Sequence, residues 1–449
     1  MSETLRSVGL DVGTTSTQLI VSRLSVENRA SGFAVPELEI ANREILYRSP
    51  VHFTPLLDNS HVDGAALRKL VEAEYRAAGI SRETVDTGAV IITGETSRKE
   101  NARAVLEALS DLAGDFVVAT AGPDLESVLA ARGAGAVDDS EQTGKTVLHM
   151  DIGGGTSNLA LIQEGKIVAT TCLNVGGRLI KYGENRVITY ISPVLSGIVS
   201  GKVGDIVTKE LLETAAGTLA EALEMAAGRK PAGELLRKLT TEEAESEWKI
   251  PEAAVISFSG GVADCIENSQ PWHLYGDLGP VLGRAIRNSA LCRGEYVLGR
   301  ETIRATVIGA GCHSVQLSGS TVFHRNIRFP LKNLPVAEVS QWNREAIRRE
   351  LKKQDSSPVL ALPGLESPAY SRVVELAEEL LAAGEGPHYI CLEQDMAKAL
   401  GQALAVRTER DVPILCIDRI RVGEGTYLDI GAPVGPAMPV VVKTLILGR

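Results

Sequence analysis

The chain contains 449 residues, which is enough for roughly two to four domains with large hydrophobic cores. An apolar content of 44% with only 4% aromatic residues is typical of an α/β protein and argues against disordered or fibrous classes. The net charge of −11 argues against a nucleic-acid partner, because a phosphate backbone is bound by a basic stripe and the sequence shows none.

Neither a targeting segment nor a cysteine motif stands out. The N-terminus, Met-Ser-Glu-Thr-Leu-Arg-Ser, lacks an apolar signal core, and no apolar run approaches the roughly 18 residues that a membrane span needs. The six cysteines are scattered without a Cys-x-x-Cys pair, which favours reduced thiols over a disulfide framework or an iron–sulfur site. We therefore expect a cytoplasmic protein that does not enter a membrane.

A turn rich in glycine and hydroxyl groups lies between two apolar segments near the start of the chain. It contains Asp11, Gly13, Thr14, Thr15 and Ser16. Glycines let the backbone approach phosphate oxygens, and the amides and hydroxyls donate hydrogen bonds without bulk. Because a carboxylate and a phosphate repel each other, the aspartate implies a bridging hard cation, for which Mg²⁺ is the best candidate.

The segment that follows alternates between strand and helix patterns, as in an α/β domain. The predicted elements are a mixed segment over 24–60, a helix over 62–78, a strand over 85–93, a helix over 96–109, a strand over 116–120 and a helix over 125–132. The first helix has Asp63 at its start and Gly79 after its end, as helix termini often do. The polar stretch 133–145 is predicted to be a hinge or linker.

A second turn of the same kind follows that stretch. It contains Asp151, Gly153, Gly154, Gly155 and Thr156, again between two apolar segments. Either turn alone could be a structural glycine turn, but the repeated pattern is specific. Two such turns that face each other would hold a nucleotide between two domains.

Three further features complete the pattern. After a helix predicted over 205–227, an apolar strand over 253–258 runs into Ser259-Gly260-Gly261, and Asp264 opens a helix, an arrangement suited to close approach by a nucleoside or phosphate. Ile308-Gly309-Ala-Gly311 could brace a hinge. Beyond about Lys332, a strand over 389–392, a helix over 396–406 and a strand over 414–417 predict a separate C-terminal α/β domain.

Other candidate motifs are weaker. Thr143-Gly144-Lys145-Thr146 has Asp139 where a P-loop requires its first glycine. The segment from Asp58 to Gly64 resembles a cobalamin-binding pattern but has one residue too many. The histidines show no metal-ligand spacing, and His149 within a strand is expected to be packed rather than catalytic.

Taken in order, these segments resemble the phosphate, connecting and adenosine motifs of the actin/Hsp70/sugar-kinase ATPase superfamily over about the first 320 residues. The resemblance implies an actin-like fold with two ribonuclease H-like domains around a nucleotide cleft. By this resemblance, Asn174-Val-Gly176-Gly177 approaches the terminal phosphate, and Gly260, Gly261 and Asp264 face the nucleoside. We expect the two ATPase domains over 1–145 and 146–330, and the C-terminal α/β domain over 331–449.

Over its whole length the chain is similar to the ethanolamine ammonia-lyase reactivating factors. That resemblance implies a chaperone-like ATPase that uses ATP and Mg²⁺ to open the inactivated lyase, so that damaged cobalamin exchanges for adenosylcobalamin on the partner enzyme. It also suggests an ethanolamine-utilisation microcompartment setting. A homodimer is compatible with the sequence, and the C-terminal domain is the candidate for contact with the lyase.

One departure from the superfamily concerns hydrolysis. Hsp70-type proteins carry Asn-Glu-Pro in the first connecting region, whereas this chain has Ala121-Gly122-Pro123, with Glu126 nearby. The resemblance assigns Asp11 and Asp151 to Mg²⁺ and water positioning, with Asp151 as a candidate general base and Glu126 as a candidate catalytic residue. Slow hydrolysis, or a change driven by nucleotide binding alone, is therefore expected.

Two alternative functions remain at this point. A sugar or acid kinase would need a catalytic base for a small hydroxyl substrate, and the sequence offers no convincing candidate. An actin-like structural protein would polymerise under nucleotide control. The activators of radical dehydratases are nearly excluded, because their bridging iron–sulfur cluster needs clustered cysteines.

Overall fold

Three large β-sheets and one two-stranded sheet are formed by the residues that the computed structural model describes. The structure describes residues 3–13, 16–28, 38–57, 61–93, 109, 117–120, 123–241, 249–252, 254–268, 270–313, 315–319, 321–353, 356–365, 369–420, 422, 426–433, 435 and 437–444. Several predicted features lie outside these residues: Thr14, Thr15, Ala121, Gly122 and all but the last residue of the helix over 96–109. Within the described ranges, no helix is long and apolar enough to cross a membrane.

The first sheet has the strand order β3-β2-β1-β5-β6, with β4 paired to β2. Its central strand β1 runs antiparallel to β2 on one side and parallel to β5 on the other. Helix α1, Gly64–Ala77, covers one face and begins where the Asp63 carboxylate accepts a hydrogen bond from the Ala66 amide at 2.9 Å, which confirms the predicted start. The strands are β1 (Glu3–Val12), β2 (Ser16–Asn28), β3 (Leu38–Arg48), β4 (His52–Phe53), β5 (Thr87–Ile92) and β6 (Val117–Thr120).

The second sheet repeats this topology with the order β13-β12-β7-β8-β9. Its central strand β7 is antiparallel to β8 and parallel to β12, as β1 is to β2 and β5. The repeat confirms the predicted pair of ribonuclease H-like domains. The strands are β7 (Val147–Ile152), β8 (Ser157–Gln163), β9 (Lys166–Leu173), β12 (Val255–Ser259) and β13 (Tyr296–Leu298), with the small hairpin β10 (Ile180–Tyr182) and β11 (Ile188–Ile191) beside them.

Helices cover both faces of the second sheet. The long helix predicted over 205–227 begins only at Lys209, because Asp205 instead accepts a hydrogen bond from the Lys202 amide and Thr208 caps the helix. The helices of this region are α2 (Pro123–Gly133), α3 (Ala136–Thr143), α4 (Lys209–Ala226), α5 (Glu234–Leu239), α6 (Asp264–Glu267), α7 (Gly279–Arg287) and α8 (Ala305–Ile308).

The prediction of a linker over 133–145 is wrong, because helix α3 occupies most of it. The helix packs against β7, β8 and β9 of the second sheet. Asp138 and Asp139 lie in its first turn, where the helix dipole favours negative charge, and Asp139 also pairs with Arg300 at 2.5 Å. Packing against the second sheet and the ion pair with Arg300 therefore stabilise a helix in a segment whose composition resembles that of a linker.

Helices α2 and α8 cross with their backbones in contact. A Cβ atom on Gly133 would overlap the Ala305 carbonyl oxygen, and one on Gly309 would overlap the Leu129 carbonyl oxygen. Gly309 opens the π-helical turn Gly309–His313, which packs against β1 and β5. The crossing thus connects the regions of the first and second sheets, and it includes Gly309, which the sequence suggested could brace a hinge.

The third sheet has eight strands in the order β14-β21-β20-β16-β17-β18-β19-β15. Its segment β18–α11–β19 confirms the predicted strand–helix–strand unit, and β14 and β15 extend it beyond the range 331–449. The elements are β14 (Val315–Leu317), β15 (Phe323–Arg325), β16 (Leu331–Glu338), α9 (Arg344–Lys352), β17 (Val359–Leu362), α10 (Tyr370–Ala383), β18 (His388–Leu392), α11 (Ala397–Ala405), β19 (Ile414–Asp418), β20 (Thr426–Ile430) and β21 (Pro439–Thr444).

Substituting alanine for Gly309 should destabilise the protein by about 1–3 kcal/mol, because the added methyl group meets a backbone carbonyl that cannot rotate away. Urea denaturation measures the change. Gly217→Ala is the matched control: Gly217 lies on the exposed face of α4 with nothing within 4 Å of an added Cβ. That control should gain roughly 0.5–1 kcal/mol. Equal effects of the two substitutions would contradict the proposed close crossing.

Candidate nucleotide site

A cavity of about 350 Å³ lies between the first and second sheets, and both glycine-rich turns line it. Thirteen residues predicted from the sequence contribute to its wall: Asp11, Gly13, Ser16, Glu126, Asp151, Gly153, Gly154, Gly155, Thr156, Gly177, Gly260, Gly261 and Asp264. Thr14 and Thr15 lie outside the described residues. Gly176 is buried behind the second turn instead of lining the cavity.

The two turns have the same geometry. In each, the first glycine amide donates a hydrogen bond of 2.9 Å to a carbonyl three residues later: Gly13 to Ser16 and Gly153 to Thr156. The loop after β9 is fixed to the second turn, since the Gly177 amide donates to the Gly153 carbonyl at 3.0 Å. A Cβ on Gly176 would overlap the Gly154 carbonyl oxygen, so glycine at 176 allows this packing.

Asp11 ends the first hairpin strand inside the cavity wall. The Thr93 hydroxyl, at the end of the neighbouring strand β5, donates a hydrogen bond of 2.8 Å to its carboxylate. Burial raises the pKa of Asp11 to about 7, the Thr93 hydrogen bond opposes this rise, and the charge of nearby Asp151 adds to it. At neutral pH this carboxylate is therefore close to its own pKa.

Asp151 occupies the equivalent position in the second hairpin. Its carboxylate accepts hydrogen bonds from Ser259 at 2.5 Å and Thr306 at 3.4 Å, while burial raises its pKa to about 6. Behind it, His149 is fully buried, with Nε2 2.9 Å from the Ser259 hydroxyl and Nδ1 3.0 Å from the Ser257 hydroxyl. Burial lowers the pKa of His149 to about 3, so the ring is neutral and packed, as predicted.

The donor set fits Mg²⁺ held together with a polyphosphate. Asp11 and Asp151, two carboxylates with raised pKa values, would both be stabilised in their charged form by a divalent cation. Among the described residues, no group of three His, Cys, Asp or Glu side chains could hold a metal alone. Mg²⁺ commonly binds through one or two carboxylates and completes its shell with water and phosphate oxygens.

The far wall of the cavity is built by the end of β12. Gly260 has φ +84°, and a Cβ there would overlap the Ile152 carbonyl oxygen, so the backbone itself requires glycine. Gly261 has more room, since an added Cβ would approach only Ile303 at 3.8 Å. Asp264 accepts a hydrogen bond of 2.6 Å from Thr302. This wall leaves space for a planar group beside Gly261.

Several cavity residues were not predicted from the sequence as site residues. They are Gln18, Val51, His52, Phe53, Thr93, Arg178, Val262, Cys265, Tyr275, Asp277, Gly279, Ile303 and Thr306. Thr93 could have been found, because it follows a buried strand parallel to β1, and the ends of parallel strands meet at one edge. Phe53 gives no such signal, because it reaches the cavity only through the pairing of β4 with β2.

Without divalent cations, Asp11→Asn should stabilise the protein increasingly as the pH rises from 4 to 8. The pKa of Asp11 is higher in the folded state than in the unfolded state. Its contribution to the stability of the folded protein is therefore favourable below the unfolded-state pKa and is lost as the pH rises through about 7. The difference from wild type should reach roughly 2–4 kcal/mol. Asp151→Asn should also stabilise the protein increasingly as the pH rises. Denaturation at several pH values measures the free energy of unfolding of both variants. A pH-independent difference would contradict this electrostatic account.

Comparisons with known proteins agree over the whole chain. A family model described as ethanolamine utilisation protein EutA matches residues 3–448. The chain is similar to the protein named ethanolamine ammonia-lyase reactivase EutA from Salmonella typhimurium, at 39% identity over 479 aligned positions and 98% of each chain. The protein of the same name from Escherichia coli K12 is 40% identical over 478 positions, again covering 98% of each chain.

Among solved structures, the Aquifex aeolicus PPX-GPPA enzyme matches 68% of this chain and 99% of its own, with a TM-score of 0.42 and 12% identity. The family match and the two full-length relatives confirm the resemblance to the ethanolamine ammonia-lyase reactivating factors that overall sequence similarity suggested. The chain therefore belongs to the EutA family of ethanolamine utilisation proteins.

Proposed function

We propose that this protein is an ATP-dependent reactivating factor for ethanolamine ammonia-lyase. It would bind the inactivated lyase and promote exchange of damaged cobalamin for intact adenosylcobalamin on that enzyme. Two relatives that match over 98% of their length bear the name of ethanolamine ammonia-lyase reactivase, which supports this partner. The cobalamin is handled on the lyase, and this chain binds the nucleotide.

Two equivalent turns line one cavity, and this arrangement supports nucleotide binding. Each turn places an aspartate at the end of a central strand and glycine amides beside it, and the two come from different domains. A ligand held by both turns would therefore couple its own binding to the relative position of the domains. That coupling is what a factor that opens another protein needs.

The proposed roles follow from the positions of the residues. Asp11 and Asp151 would hold Mg²⁺, which would offset the negative charge of the phosphates when bound. The phosphates would lie against Gly13 to Ser16 and Gly153 to Thr156, with the loop of Gly176 and Gly177 next to the terminal one. The nucleoside would lie beside Gly260, Gly261 and Asp264, and Glu126 from α2 would orient the attacking water, with Asp151 as a candidate base.

The third sheet is the proposed contact surface for the lyase. None of the described residues that line the cavity comes from this sheet, so its outer surface is separate from the nucleotide. We place the protein in the cytoplasm, in association with an ethanolamine-utilisation microcompartment, and a homodimer is compatible with this arrangement. We propose three units over about 1–145, 146–330 and 331–449, and the third sheet also includes strands β14 and β15 from the end of the second range.

Recovery of lyase activity tests the proposal. Ethanolamine ammonia-lyase inactivated with an inert cobalamin should regain activity when this protein, adenosylcobalamin and Mg-ATP are added together. Asp11→Ala should abolish the recovery, because one of the two carboxylates that would hold Mg²⁺ is removed. Recovery without ATP, or with the Asp11 variant, would refute the nucleotide requirement. No recovery with wild type, despite ATP binding, would refute the reactivase function itself.

Glu126→Gln separates hydrolysis from binding. Glu126 lines the cavity near the start of α2, so the neutral amide should leave Mg-ATP affinity within about threefold of wild type while lowering ATP turnover by roughly tenfold or more. Phosphate release and equilibrium binding measure the two quantities. Unchanged turnover would remove Glu126 from the catalytic residues, and retained reactivation with slow turnover would show that nucleotide binding is sufficient.

A further inference from the structure

The nucleotide cavity is strongly acidic, and Arg178 is the exception. Five carboxylates contribute to its wall, and among the described lining residues Arg178 is the one lysine or arginine; the five are Asp11, Glu126, Asp151, Asp264 and Asp277. A single divalent cation offsets only part of the charge of a triphosphate and these carboxylates together. A cationic side chain in this position therefore matters for any polyphosphate ligand.

Arg178 is attached directly to the second turn. Its backbone amide donates a hydrogen bond of 2.7 Å to the Gly154 carbonyl, next to the bond from Gly177 to Gly153. The residue before it, Gly177, lines the cavity, and a Cβ there would meet Val262 and Gly279 at about 3 Å. The start of the Arg178 side chain is thus fixed relative to the glycine amides of this turn.

The guanidinium group reaches towards the other domain. Its Cζ atom lies 5.9 Å from the centre of the Phe53 ring, and Phe53 pairs in register with Ser16 of the first turn. The side chain of Arg178 therefore extends from the second turn to the strand that flanks the first. Arg178 and both turns line one cavity, so its side chain is available to a phosphate chain that contacts the two turns.

One edge of the guanidinium is already held in place. Arg178 Nε lies 3.3 Å from the Asp277 carboxylate, whose other oxygen accepts a hydrogen bond of 2.9 Å from the Gly279 amide. The Asp277 side chain is largely buried, and the Arg178 side chain is about one-third exposed. This leaves the two terminal nitrogens as donors with the planar geometry that suits a phosphate group.

We propose that Arg178 binds the terminal phosphate of ATP and gives the site its preference for ATP over ADP. This inference rests on the proposed nucleotide-binding function. A cationic group held by the second turn and extended towards the strand beside the first would contact the phosphate that reaches from one turn towards the other, and ADP lacks that phosphate. Asp277 acts as a positioning residue, since its buried carboxylate holds Nε, whereas the exposed Phe53 ring at 5.9 Å adds only a weak contact.

Nucleotide binding to the full-length protein, measured by titration calorimetry with Mg-ATP and with Mg-ADP, tests this assignment. Arg178→Ala should weaken ATP binding by roughly ten- to hundredfold while changing ADP binding by less than about threefold. Arg178→Lys should give an intermediate loss, because it keeps the charge without the two-pronged geometry. The ratio of the two affinities is the informative quantity, because a general loss of structure would lower both.

Arg287→Ala is the matched control. Arg287 also packs over an aromatic ring, Tyr296 at 5.5 Å, and pairs with Glu267 at 3.7 Å, but it does not line the cavity. It should leave both affinities unchanged. If wild type binds both nucleotides and the Arg178 variants keep the ATP-to-ADP ratio, the assignment of Arg178 is wrong and the proposed function stands. If wild type binds neither nucleotide, the proposed function fails, and the inference fails with it.

Should Arg178→Ala unfold below the assay temperature, Arg178→Lys alone decides the question. A reduced ATP-to-ADP affinity ratio in that variant supports the assignment, and an unchanged ratio refutes it.

Discussion

The rest of the site depends on two carboxylates near the ends of equivalent strands, the buried Asp151 and the partly buried Asp11. Desolvation opposes the charge on Asp11 and Asp151, and the hydroxyl groups of Thr93, Ser259 and Thr306 only partly offset it. The protein thus retains an unfavourable arrangement that a divalent cation would relieve. Such an arrangement persists because the strands that carry the aspartates are fixed in the centres of their sheets, with parallel and antiparallel neighbours on either side.

The position of the two turns relative to each other depends on a second constraint, the contact between helices α2 and α8. Backbone lies on backbone at Gly133 and Gly309, with no side chain between them. Contacts of this kind leave little room for sideways displacement, since any shift brings a carbonyl oxygen against main-chain atoms. This close contact therefore limits how the two sheets that line the cavity can move past each other.

The parts of the fold and site that the sequence could reveal are those encoded locally. Both turns, with Asp11 and Asp151, are visible because glycine, hydroxyl and acidic residues lie together within a few positions. The prediction for segment 133–145 was wrong because its structure depends on distant residues. Its glycine and polar residues resemble those of a linker, but packing on β7–β9 and the ion pair with Arg300 make it helical. Phe53 and Arg178 meet only after strand β4 pairs with β2 and the two domains come together, so no local pattern marks them.

Strand β14 has a consequence for how movement would spread through the molecule. It begins close after the π-helical turn at the helix crossing and pairs with β21 of the third sheet. Val315 and Val441 from these strands share a hydrophobic cluster with Leu5, Leu24 and Val26 of the first sheet. The third sheet therefore packs against the first domain through this hydrophobic cluster. If that domain rotated, the third sheet would move with it. A small rotation at the cavity would then produce a larger displacement at β15, the edge strand of the third sheet.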